Sequence, residues 1–300
     1  MDEGAPTTVR LRDVLDRAGR VVIAEASPAE ADSAEVARIV VSGAAIADLT
    51  DLLAIVDGGT GDRCRCNGWP TIMVYDTVGR LIACWTLHHQ SGLRGIGDCD
   101  ADLRDGPALT EWLAERGLTR SQAVQEQLAA QKAEGDQRRL RWLRAAPAGL
   151  RDAATDVCDP PGPELEAWSG RLRVAEARLA ALVQHDYPDH IERIRVLMAW
   201  AGVPTREPTG GLKWYDIAVQ QQLLDEDPDA ILTALTTRPP SPAQLDGAAE
   251  LFASLEWTAA HGKQLPQSLR SMLIGHIQAE GTGPMRFRMS HGYYAAEGSA

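Results

Sequence analysis

Cys64–His89 reads CRCNGWPTIMVYDTVGRLIACWTLHH, and its reading decides the N-terminal fold. Thr71–Tyr75 and Leu81–Leu87 are rich in β-branched, aromatic and apolar residues, the composition of strands. Between them lies Asp76-Thr77-Val78-Gly79-Arg80. An Asp opens turns by bonding its own backbone, and Gly79 can take the positive φ of a short hairpin loop. If Asp76 pairs with Arg80, Ile72 faces Cys84, Val74 faces Ile82 and Gly68 faces His88. Alternation then places Ile72, Val74, Ile82, Cys84 and His88 on one face. Trp69, Met73, Tyr75, Leu81, Ala83, Trp85 and Leu87 fall on the other. Both faces are apolar, so the hairpin is expected at the centre of its domain and covered on both sides.

The same register has a chemical consequence. Extended back past Gly68, it brings Cys64 and Cys66 to the His88 side, with His89, Cys84 and Cys99 as competing donors. Thiolate and imidazole donors suit Zn²⁺. The candidate metal ligands are therefore Cys64, Cys66, His88 and His89, with zinc as the cofactor. Cys-x-Cys followed by His-His is not a standard zinc spacing, and a one-residue slip exchanges His88 for His89 on that face.

Around the hairpin the chain reads as α+β. Helices are expected at Thr8–Arg17 and Ala45–Val56, the latter stopped by Gly58-Gly59, and strands at Arg20–Ala24 and Val36–Val41. Gln90–Asp105 reads as a loop in which Asp98, Asp100 and Asp102 are solvated. Pro107 then starts a helix ended by Gly117. Four strands with two helices predict a small antiparallel sheet carrying helices on one or both sides.

Beyond Thr119 the pattern is helical. Thr119 and Gln122 form a capping box ahead of a helix whose polar middle, around Gly135, is either exposed or broken. Arg138, Arg139, Arg141 and Arg144 surround Leu140, Trp142 and Leu143. That pattern suits phosphate or RNA, but in so acidic a chain an amphipathic helix is the preferred reading. Prolines and caps punctuate six further helices, including Asp227-Pro228 and Ser241-Pro242-Ala243-Gln244. In HDYPDH, capping by Asp186 accounts for the segment better than a His185/His190 metal site. The succession is similar in style to HEAT-type helical arrays, without a fixed repeat period.

The expected organisation is an α+β domain over 1–118 with its central hairpin at 70–89, and connecting helices with a Pro-rich linker over 119–160. An irregular all-α helical array over 161–282 and a flexible tail over 283–300 complete it.

The 300 residues carry a net charge of −12. That disfavours nucleic acid and anionic membranes as partners. Met1-Asp2-Glu3-Gly4 does not open a signal peptide, and no apolar run reaches a membrane span of about 20 residues. A cytoplasmic setting with reduced cysteines is expected, and the five cysteines then favour ligand or redox roles over disulfides. No phosphate loop, nucleophile elbow or HExxH motif is present. The reading is an intracellular interaction or scaffold protein with a protein partner and a structural Cys/His metal site. The alternative is a thiol-redox or metal-dependent enzyme centred on Cys64, Cys66 and His88.

Overall fold

A computed structural model describes residues 4–61, 65–160, 167–207 and 211–291. Two compact units divide the chain, residues 1–133 and 134–300.

The first unit is α+β. Helix α1 (Thr8–Leu15), strands β1 (Ala18–Ala24) and β2 (Arg38–Ser42), and helix α2 (Ala45–Leu52) precede the hairpin β3 (Thr71–Asp76) and β4 (Leu81–His88). Two short strands follow, β5 (Gly92–Arg94) and β6 (Ala101–Asp102), and then helix α3 (Gly106–Glu115). All pairings are antiparallel, in the order β2-β1-β3-β4-β5-β6, so β3 and β4 are central. The expected loop over 90–105 thus contains two short strands, β5 and the edge strand β6.

Asp76 closes the hairpin turn as expected. Its amide donates to the Arg80 carbonyl at 2.9 Å, and its Oδ1 accepts from the Val78 and Arg80 amides at 3.0 and 2.9 Å. The register then departs from the expectation. Tyr75 pairs with Leu81 but Val74 pairs with Ala83, so Ile82 is an extra, bulged residue. Beyond the bulge Ile72 pairs with Trp85 and Met73 with Cys84.

The bulge has a packing cause. It moves Trp85 and Leu87 onto the face of Ile72 and Val74. That face carries the core, with Leu11 and Leu15 of α1, Leu49 of α2, and Leu109 and Leu113 of α3. Among the described residues the apolar cluster on the other face is smaller, formed by Ala24, Ala31 and Met73. Cys84 there is exposed. The two faces are therefore covered unequally, because one residue of slip gathers the largest apolar side chains under the helices.

The second unit is helical. Helix α4 (Arg120–Ala145) runs unbroken through Gly135 and contains the boundary between the units. Two of its arginines are held in ion pairs. Arg138, 4% exposed, donates to buried Asp216 at 2.7 Å, and Arg141 pairs with Glu207. Helices α5 (Arg151–Cys158), α6 (Trp168–Asp186), α7 (His190–Ala201), α8 (Trp214–Leu224), α9 (Pro228–Thr236) and α10 (Pro242–Phe252) follow. The last three are α11 (Leu255–His261), α12 (Gln267–Glu280) and α13 (Gly283–Ser290).

The caps are mostly as read. Asp227 caps α9, and Ser241 with Gln244 forms the capping box of α10. The cap of α7 is Asp189, not Asp186: its Oδ1 accepts from the Glu192 amide at 2.9 Å. The stretch expected as a flexible tail begins with α13, which buries Met285. Between α7 and α10, a Cβ on Gly247 would lie 1.9 Å from the Met198 carbonyl oxygen, so only glycine permits that crossing. No described helix is long and apolar enough to cross a membrane.

Candidate metal centre

β4 ends in His88, whose side chain points to the less covered face with Cys84 and Thr86. In a continued strand His89 would point the other way. Instead the chain turns at once. His89 and Gln90 take positive φ values of 49° and 59°, and the Ser91 amide donates to the His88 carbonyl at 3.1 Å. Two successive left-handed residues make a type I′ turn, which normally uses Asn and Gly. Here it uses His and Gln, at a cost of about 1–2 kcal/mol for each residue. Strain of this kind concentrates at functional sites. Its local effect is to swing His89 beside His88, ring centroids 4.1 Å apart and nearly perpendicular.

The third donor arrives through a loop. Before β3 the described residues 65–70 form no strand. Gly68 has φ +67°, and a Cβ there would meet Thr86 Oγ1 at 2.7 Å and the Leu87 carbonyl at 2.9 Å. The loop therefore lies directly on Thr86, and Gly68 does not face His88 as the simple register predicts. The Trp69 amide donates to the Leu87 carbonyl at 2.8 Å, and Gln90 Nε2 to the Trp69 carbonyl at 3.3 Å.

The result is that Cys66, His88 and His89 each bring one donor atom to a common place, all within 4.8 Å of one another. Tetrahedral zinc bonds of about 2.0–2.3 Å set neighbouring donors about 3.5 Å apart, so small side-chain rotations close the group on an ion. Cys64, the fourth candidate, lies outside the described residues. Cys84 and Cys99 are not in the group; Cys99 Sγ packs against Gly59.

The electrostatics suit a neutral imidazole ligand. His88 is 6% exposed, and its Nε2 has no hydrogen-bond partner among the described residues. Burial first, and then the charge of His89, hold its imidazole below the ordinary range, while Asp100 acts in the opposite sense. A buried imidazole nitrogen without a hydrogen bond is an unfavourable group that a cation bound to it would satisfy.

Two residues at the site escaped the sequence reading. Asp100 is 5% exposed, not solvated, and its carboxylate accepts from Arg94 Nε and Nη2, both at 2.7 Å. Its Oδ2 lies 3.9 Å from His88 Nε2. Arg94 Nη1 also donates to the Cys66 carbonyl. The only signal in the sequence was an acidic residue six positions after an Arg, which is too common to single out. A cleft of about 220 Å³, lined by Thr60, His88, His89, Ser91, Asp100 and Asp102 among others, opens beside the histidines.

Comparison with known proteins gives no match: no family model, no curated protein and no solved structure is similar to this chain.

Proposed function

We propose that this protein binds one divalent transition-metal ion through Cys66, His88 and His89, and that the ion staples the Cys66 loop to the β4–β5 turn of an interaction protein. The observation that carries this reading is the convergence of one thiol and two imidazoles, reached through a turn that is strained to achieve it. A thiolate with two imidazoles is a borderline-soft donor set, which favours zinc over calcium or magnesium. Cys64, two positions before Cys66, is the candidate fourth ligand on sequence grounds.

The helical unit supports the interaction half of the proposal. Leu212, Ile217, Leu224, Leu255, Pro284 and Phe287 line a groove of about 510 Å³, with Leu255 77% and Phe287 62% exposed. Apolar side chains grouped in a surface groove are features of protein-binding surfaces.

Elemental analysis of full-length protein purified without chelator tests the metal. About one zinc per chain is expected, with loss in Cys66→Ala and in His88→Ala. Equal and negligible zinc in all three overturns the reading. For the interaction, co-purification of a partner that Leu255→Asp and Phe287→Asp abolish is expected. Repeated recovery of no partner, or a partner indifferent to both changes, counts against it.

A further inference from the structure

Resting on the metal reading, we infer that Arg94, held by Asp100, is the positioning residue that fixes the Cys66 loop against His88. Arg94 is the last residue of β5 and pairs with Thr86 of β4, so its side chain rises on the face where the Cys66 loop lies. Its guanidinium works in two directions. One edge makes the paired bonds to Asp100, and Nη1 reaches the Cys66 carbonyl, 28 residues away in sequence.

Asp100 is itself anchored. Its carbonyl accepts from the Thr60 amide at 2.8 Å and the Thr60 hydroxyl at 3.1 Å. One rigid fork therefore joins the backbone of one ligand to a carboxylate standing beside another. Carboxylates and their partners behind metal ligands set ligand orientation, and their loss usually weakens metal affinity about 10–100-fold.

Charge alone predicts the opposite. Arg94 is a cation close to a cation site, and removing it leaves the Asp100 carboxylate uncompensated and attractive to a metal ion. If charge dominates, Arg94→Met binds metal more tightly. If positioning dominates, it binds more weakly.

The test titrates full-length protein with Co²⁺ and with Zn²⁺, following the Co²⁺ visible bands and the thiolate-to-cobalt charge-transfer band. For Arg94→Met the expected result is weaker binding, by about 10–100-fold, with a diminished charge-transfer band. Arg94→Lys, which keeps the charge and can still reach one of the two acceptors, restores part of both. Asp100→Asn weakens binding as well, because it leaves Arg94 beside the ion without its anion. Circular dichroism and melting verify folding. Should Arg94→Met fail to fold, Arg94→Lys carries the test, because it keeps the charge and loses the paired fork.

Binding by Arg94→Met at wild-type strength or tighter, with an unchanged spectrum, overturns the clamp and leaves the metal site standing. Wild-type protein that binds neither ion overturns both. If Arg94→Lys then binds like wild type, the clamp alone falls.

Discussion

His88 and His89 are consecutive in the chain, yet their imidazoles meet edge to face at 4.1 Å instead of pointing to opposite faces of the sheet. The cause is the left-handed backbone of His89, with φ 49°. A residue other than glycine held there stores strain, and the strain is useful only if the second imidazole has work to do beside the first.

That relationship predicts a trade between stability and binding. Asn tolerates the left-handed region better than His. His89→Asn should stabilise the metal-free protein by a few tenths to about 1 kcal/mol, the order of the backbone strain relieved. It should also abolish tight zinc binding. Denaturant unfolding with chelator, together with a zinc titration, reads both. A variant that is less stable and still binds zinc would contradict the argument.

The bulge at Ile82 makes a second prediction. Trp85 is 2% exposed in the core, whereas its neighbour Cys84, on the opposite face, is exposed. Trp85→Ala should cost about 3–5 kcal/mol. Cys84→Ser should change stability by no more than about 0.5 kcal/mol. Equilibrium unfolding of both variants checks the register, since an unbulged hairpin would take Trp85 off the Ile72 face.

Asp76 makes the hairpin turn sensitive to acid. Its carboxyl is held below the ordinary range, chiefly by the Arg80 amide, with smaller help from the Arg80 side chain and the Val78 amide. A carboxyl whose value is depressed in the fold contributes stability that is full above its unfolded value, near 4. That contribution fades as pH falls through the lower folded value. In Asp76→Asn, the loss of stability between pH 5 and pH 2 should be shallower than in wild type. Parallel slopes in urea unfolding across that range would rule the turn out as an acid-sensitive element.

In the helical unit, Arg138 and Asp216 are a buried ion pair, with side chains 5% and 1% exposed. Burial pushes the Asp216 carboxyl up to about 6, with Arg138 and the Lys213 amide acting against that. Asp216→Ala leaves a buried guanidinium without its anion and should cost about 3–5 kcal/mol. Arg138→Met combined with Asp216→Leu should recover a large part of that loss. The recovery should be incomplete, because Asp216 Oδ2 also accepts from the Lys213 amide at 2.8 Å. A double variant no better than the single one would mean that the pair is not coupled in this way.

How much of this the sequence carried differs between elements. The hairpin turn, the caps at Asp227 and Ser241, and the helix starts at Pro107 and Pro242 were legible, because each depends on residues within one turn of the chain. Sequence does not separate the cap Asp189 from Asp186, since both stand close to Pro188 and both are suitable cap residues. Three of the four proposed ligands meet, but not for the reason the simple register supplied. Over the described residues 65–70 the assumed strand extension is absent, and a loop pinned at Gly68, Gln90 and Arg94 takes its place.

By itself, the sequence determined the order of elements, an α+β part followed by an all-α part, and the short list of side chains able to bind a metal. Composition, periodicity and caps are near-neighbour properties, and one chain displays them directly. Only the tertiary structure decided the one-residue bulge, the left-handed step at His89 and the Arg94–Asp100 fork. Each of these depends on which distant surface a side chain can be buried against. Trp85 finds the helix-covered face, and Arg94 finds a carbonyl 28 residues away.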